Sequence, residues 1–146
     1  MHPNQIVTYK RKPKFEPGLS AKEIQKYQKY SVAKLKAMAQ KYFNRFIRER
    51  DKDKPCISCN TGKPEQCGHY LSQGHHSALR YDENNCAGQC VRCNLYLHGN
   101  LVNFRKGLIK RIGEEKVIEM ETRFKGAHKW GRFSLIEILT KYKPKP

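Results

Sequence analysis

Acidic side chains are scarce in this chain, and long apolar runs are missing altogether. Only 13 Asp and Glu stand against 30 Lys and Arg, a formal net charge of +17. So basic a surface repels cationic partners and suits a polyanion. No run of ~18 apolar residues occurs, which excludes a membrane-spanning helix. The first residues lack the apolar stretch of a secretory signal, so a cytoplasmic location is expected. At 38% hydrophobic residues the chain is lean for its length, and the core is expected to be small and to lean on metal. There is no internal repeat, and no heptad seam demands a homodimer.

The basic charge is unevenly spread. Residues 1–54 carry net +10, residues 55–100 are neutral, and residues 101–146 carry net +7. A neutral centre between basic flanks suits arms that grip a phosphate backbone while the central module acts on one phosphate. A solvated surface, or a ribosomal-type binder of RNA, has the same balance, so charge speaks for nucleic acid and not for cutting.

Residues 1–19 hold Pro3, Pro13, Pro17 and Gly18 beside Lys10, Arg11, Lys12 and Lys14, the composition of a disordered basic arm. Ser20 and Glu23 have capping-box spacing. A basic amphipathic helix is predicted from there across residues 20–54, running to about Arg50, because Leu35, Met38, Ala39, Tyr42, Phe43, Phe46 and Ile47 form one apolar stripe. From Cys56 to Gln89 glycines and Pro64 punctuate short segments, and a β-hairpin is the economical reading. Leu101, Phe104, Leu108 and Ile112 are helix-spaced up to Gly113. Val117, Ile118 and Phe124 suggest another short helix. Ser134 and Glu137 repeat the capping box ahead of Leu135, Ile138, Leu139 and Tyr142, giving a last helix and basic tail over 131–146.

Six cysteines are present. Without a secretory signal, the pairs Cys56-x-x-Cys59 and Cys90-x-x-Cys93 read as two knuckles giving four thiolates to one structural zinc, not as disulfides. Cys67 and Cys86 are left over, as small buried residues, an alternative ligand set or a redox pair. A closed zinc site does no chemistry, but His69, Asn85, Asn94 and His98 lie between and just after the knuckles. Hydrolysing a phosphodiester needs a base for water, a cation for the developing charge, and help for the leaving oxygen. A hairpin followed by a helix and braced by zinc sets a hairpin histidine opposite helix residues, the ββα-metal layout. His69 is then the general base. Asn85 would hold the loop or orient His69. Asn94 and His98, four apart on a helix entered after Cys90, would meet a catalytic ion or the phosphate, although Asn94 is equally placed to cap that helix.

The string Cys56-x-x-Cys59, Gly68-His69-Tyr70, Leu79 through Asn85, Gln89-Cys90-Val91-Arg92-Cys93-Asn94 and Gly99-Asn100-Leu101 resembles the NinG (Rap) family of phage recombination nucleases, and HNH-type endonucleases more broadly. The resemblance covers residues 46 to about 130. It implies a phage or prophage enzyme in the cytoplasm of a bacterial host. Such an enzyme nicks D-loops and Holliday junctions with a divalent ion, Mg2+ or Mn2+, and works beside host or phage recombination proteins. By position it carries zinc binding to Cys56, Cys59, Cys90 and Cys93, and the base role to His69. One departure stands out: Gly68 occupies the place where many HNH sites have an acidic or histidine metal ligand. Asp82, Glu83, His75 and His76 are the residues available to substitute.

The fold class expected is α+β, a zinc-stabilised HNH-like module at 55–130 flanked by a long N-terminal helix and C-terminal helices. Its activity would be that of a metal-dependent endonuclease on branched or duplex DNA, and a homodimer would suit paired cuts across a junction. The rival is a non-catalytic zinc module that binds nucleic acid and leaves His69 unused.

Overall fold

A computed structural model describes residues 19–123 and 127–144. The basic arm expected at 1–19 lies outside the described residues except for Leu19, which is buried in the core. Phe124 also lies outside them.

Ser20 opens α1 (Ala21–Gln28) with the predicted capping box. The Glu23 amide donates to Ser20 Oγ at 3.3 Å, and the Ser20 amide donates to Glu23 Oε2 at 2.9 Å. The helix does not continue to Arg50 as predicted. Ser31, in an extended conformation, caps a second helix, α2 (Val32–Asp51), accepting from the Lys34 amide at 3.2 Å. A residue that satisfies the first-turn amides of one helix must leave helical backbone itself, so the chain bends there. The carbonyls freed at the bend are capped from a distance, since Arg132 Nη1 donates to Gln28 O at 2.9 Å and to Tyr30 O.

Leu35, Ala39, Phe43 and Ile47 recur every fourth residue of α2 and are fully buried. Each withdraws apolar surface worth about 2 kcal/mol for the larger side chains. They pack on Leu135, Ile136, Leu139 and Tyr142 of a C-terminal helix, together with Tyr81 and Cys86. That last helix spans Arg132–Tyr142 and has Gly131 at its N-cap, so Ser134 lies in its first turn and is not the cap predicted. The Arg132 bonds to the α1–α2 bend explain the earlier start.

Between these helices sits the predicted hairpin, β1 (Gln66–His69) antiparallel to β2 (Cys86–Gln89), with Gln66 opposite Gln89, Cys67 opposite Gly88, Gly68 opposite Ala87 and His69 opposite Cys86. Strand alternation gives it two faces. Cys67, His69 and Cys86 face α2, where the Phe43 and His69 rings lie 6.4 Å apart. Ala87 faces a second core with Leu79, Phe104, Leu108, Val117 and Met120. The last four come from α3 (Leu101–Ile112) and α4 (Glu114–Arg123), which makes Arg132–Tyr142 helix α5.

Asp51 ties the layers together. Its fully buried carboxylate accepts from the Gly88 amide at 2.8 Å, from Arg50, and from Arg111 of α3 at 2.8 Å. Burial alone would raise its pKa. The Arg50 bond, the Gly88 amide and Arg111 overcome that and hold it far below the usual carboxylate range.

Candidate functional site

Two tight turns bring the cysteines of the knuckles together. Cys56 and Cys93 are buried, and the sulfurs of Cys56, Cys59, Cys90 and Cys93 all lie within 4.8 Å of one another. Amide and side-chain donors point at them. The Gly62 amide reaches Cys59 Sγ at 3.3 Å, the Cys93 amide reaches Cys90 Sγ at 3.4 Å, and Asn100 Nδ2 reaches Cys93 Sγ at 3.4 Å. Such donors stabilise thiolates, the form that binds metal. The Thr61 hydroxyl and the amides of Thr61 and Gly62 pull the Cys59 thiol down to about 6, whereas burial pushes Cys93 up to about 12. Gly62 completes the cradle, because a Cβ there would stand 2.6 Å from Cys90 Cβ. The donor set fits a closed tetrahedral zinc.

Beyond the second knuckle the chain does not form the helix predicted. A wide turn of π geometry, Arg92–Tyr96, closes with the Leu97 amide on the Arg92 carbonyl at 2.9 Å. His98, Gly99 and Asn100 then all take positive φ, at 49°, 91° and 43°. Two non-glycine residues in left-handed backbone are costly, and that cost is held by the surrounding bonds. The Gly99 amide donates to Cys93 O at 2.9 Å and its carbonyl accepts from Gln89 Nε2 at 2.7 Å. Asn94 and His98 therefore do not share a helical face.

They do share a cleft. An open depression of about 640 Å³ is lined by His69, His75, His76, Asn94 and His98. His69 rises from the end of β1 with Nε2 3.0 Å from the Arg80 carbonyl. A carbonyl can only accept, so Nε2 carries the proton and Nδ1 presents the lone pair. Gln73 Nε2 lies 3.3 Å from each ring nitrogen. Burial is the main reason that the His69 pKa is lowered. The Arg80 charge adds to it, and the carbonyl bond opposes it. Asn94 Nδ2 donates to Gln66 Oε1 at 2.7 Å.

Asn85 is elsewhere. It is fully buried, accepting from the Leu71 amide at 2.9 Å and donating to the carbonyls of Leu71 at 3.0 Å and Leu79 at 3.3 Å. It clamps the connection 70–85, and with it the Arg80 carbonyl that His69 meets. Of the residues available to replace a ligand at Gly68, Asp82 accepts from the Asn84 and Asn85 amides, and Glu83 is engaged by Tyr142 and Lys141. Neither lines the cleft. His75 and His76 do, and the buried Nδ1 of His76 has no hydrogen-bond partner.

Gly68 has its own explanation. A Cβ there would fall 2.0 Å from Gln89 Oε1, so the buried Gln89 amide occupies the space a larger residue would need. Sequence reasoning missed Gln73, the Arg80 carbonyl and Gln89. Only the pairing of the absent Cβ at Gly68 with a glutamine next to Cys90 hinted at the last.

A family model described as Bacteriophage Lambda NinG protein matches residues 7–146. Over 109 residues the chain is 46% identical to "Protein ninG" of Escherichia phage 933W, covering 73% of this chain and 54% of that protein. It is 48% identical over 94 residues to the protein of that name from Escherichia phage lambda, covering 63% and 46%. Against that of Salmonella phage P22 it is 45% identical over 109 residues, covering 73% and 53%. The chain thus spans about half the length of the curated relatives it matches. No solved structure matches it.

Proposed function

The chain belongs to the NinG family of bacteriophage proteins, and from that premise we propose that it is a metal-dependent, structure-specific DNA endonuclease of HNH type that cuts branched recombination intermediates such as D-loops and Holliday junctions. The observation that carries this reading is the held geometry of His69. It opens on the cleft, its pKa is lowered by burial, and the Arg80 carbonyl engages Nε2, which leaves Nδ1, beside the Gln73 amide, as the acceptor. A neutral, oriented imidazole is what proton abstraction from water requires.

In this reading His69 Nδ1 takes the proton from the attacking water. Asn85 and Arg80 act as positioning residues through the loop carbonyl. A divalent ion in the cleft would neutralise charge on the phosphate and its leaving oxygen. His75, His76, Asn94 and His98 are the donors available to hold it, and none is a carboxylate. No three His, Cys, Asp or Glu donors among them converge within 4.8 Å. An ion there would keep much of its water shell, as Mg2+ and Mn2+ do. Beside these residues Leu95, Tyr96 and Val102 are exposed, Tyr96 by 75%. The exposed Tyr96 ring offers a face on which an unpaired base at a branch can stack. The basic flanks supply backbone affinity.

The lack of a carboxylate in the cleft favours one rival, a zinc module that binds nucleic acid without cutting it. Incubating the reduced chain, carrying one zinc ion per chain and with no free zinc in solution, with a labelled four-way junction, with Mg2+, with Mn2+ and with neither, separates the two. Ion-dependent cleavage near the branch point is expected. Binding without product under all three conditions would leave the rival standing.

A further inference from the structure

The knuckles use Cys56, Cys59, Cys90 and Cys93, and the base role uses His69 alone. Cys67 and Cys86 remain, and the hairpin register puts them to use. Cys67 and His69 are two apart on β1 and so share a face, and Cys86 is directly opposite His69 on β2. The two sulfurs and a nitrogen of His69 all lie within 4.8 Å of one another. We propose that Cys67, His69 and Cys86 form a second metal site, selective for thiophilic ions such as Zn2+ and separate from the knuckles, which switches the cleft off when filled.

Donor chemistry, access and support point the same way. Two sulfurs and an imidazole are borderline-soft ligands that suit Zn2+ and poorly suit Mg2+. Cys67 and His69 both line the cleft, which supplies an entry path and leaves a fourth position to water. Cys86 is buried, and its backbone is braced by Arg50 Nη2, which donates to the Cys86 carbonyl at 2.8 Å. The His69 ring is already braced by the Arg80 carbonyl, the kind of outer contact that orients histidine ligands. Zinc in this site would be held at the His69 end of the hairpin, while the second knuckle begins at Cys90, beyond the Gln89 end.

The consequence for catalysis rests on the endonuclease reading. A neutral imidazole has one ring lone pair, and a metal bound through it removes the base. Excess zinc should therefore inhibit cleavage by capturing His69 itself.

Metal stoichiometry tests the site without any need for activity. The reduced full-length chain would be dialysed against buffered micromolar Zn2+ and its bound zinc counted. Two zinc ions per chain are expected for the wild type and one each for Cys67→Ala and His69→Ala, the retained ion reporting that the knuckles are intact. A wild type that holds only one zinc, or a Cys67→Ala chain that still holds two, would overturn the site. Where cleavage is measurable, free Zn2+ at ~10 times its Kd should leave roughly a tenth of the wild-type rate. Cys67→Ala should keep its own zinc-free rate at that concentration. A chain carrying two zinc ions that cuts at full speed would overturn the inhibitory role and leave the endonuclease reading untouched.

Discussion

His69 Nε2 and the backbone oxygen of Arg80 lie 3.0 Å apart, joining the end of a β-strand to a loop that Asn85 clamps from within the core. A buried asparagine that never reaches the cleft is thus linked, through the Leu79 and Arg80 backbone, to the histidine that does. His69→Ala should bind a four-way junction with unchanged affinity and lose ~100- to 10,000-fold in cleavage rate. Full cleavage by the folded, zinc-loaded variant would remove His69 from the mechanism.

The same residue sets a pH dependence. Burial lowers the His69 pKa, so the neutral form, the one that would act as the base in the proposed mechanism, persists below the ordinary histidine value of ~6.5. Cleavage should therefore fall as pH drops, with the midpoint of the acid limb below ~6.5. An acid limb centred above that value would mean that another group is titrating.

Removing the knuckle zinc should unfold the hairpin and the turn after it together, since binding energy in such sites is folding energy of ~10 kcal/mol or more. Cys59→Ser and Cys93→Ser should each lose the tightly held ion and the cooperative unfolding transition followed by circular dichroism. Purified, reduced wild-type protein holding less than one zinc per chain would contradict the assignment.

Asp51→Asn should destabilise the fold by about 3 to 5 kcal/mol at pH 7, because Arg50 and Arg111 lose a buried counter-charge. The pKa of Asp51 is depressed in the folded state. Its contribution is therefore complete above the ordinary carboxylate value of ~3.9 and is lost as pH falls through the lower folded value. Urea unfolding should show the gap between wild type and variant wide at pH 7 and closing only below pH ~4. A variant within about 1 kcal/mol of wild type at pH 7 would show that the carboxylate is dispensable.

Deleting residues 1–18, which keeps the buried Leu19 in place, removes Lys10, Arg11, Lys12 and Lys14. Every phosphate that the shortened chain no longer grips should take ~0.9 from the logarithmic salt slope of duplex binding. Turnover at saturating DNA should survive. An unchanged slope would show that the segment does not hold phosphate.

Much of this protein was legible as spacing. The four-cysteine cluster follows from two C-x-x-C pairs because each pair is a local turn, and the first capping box at Ser20 and Glu23 is equally local. The hairpin was legible too, because glycines and a proline interrupt any helical period between the knuckles. What failed was continuity. Ser31 breaks the first helix because Arg132 and α5 are there to cap the bend, and Gly131 opens α5 for the same long-range reason. The helix carrying Asn94 and His98 gave way to a π turn and three left-handed residues held by Cys93 and Gln89. Sequence alone determined which chemistry the chain can hold: thiolates for a metal, a hairpin histidine, and a basic surface for a polyanion. Tertiary structure alone decided which side chains meet. Asp82 and Glu83 turn away while His75, His76 and His98 line the cleft, and Cys67 and Cys86 gather on His69. Those meetings depend on strand register and on packing between residues far apart in the chain, which no local pattern encodes.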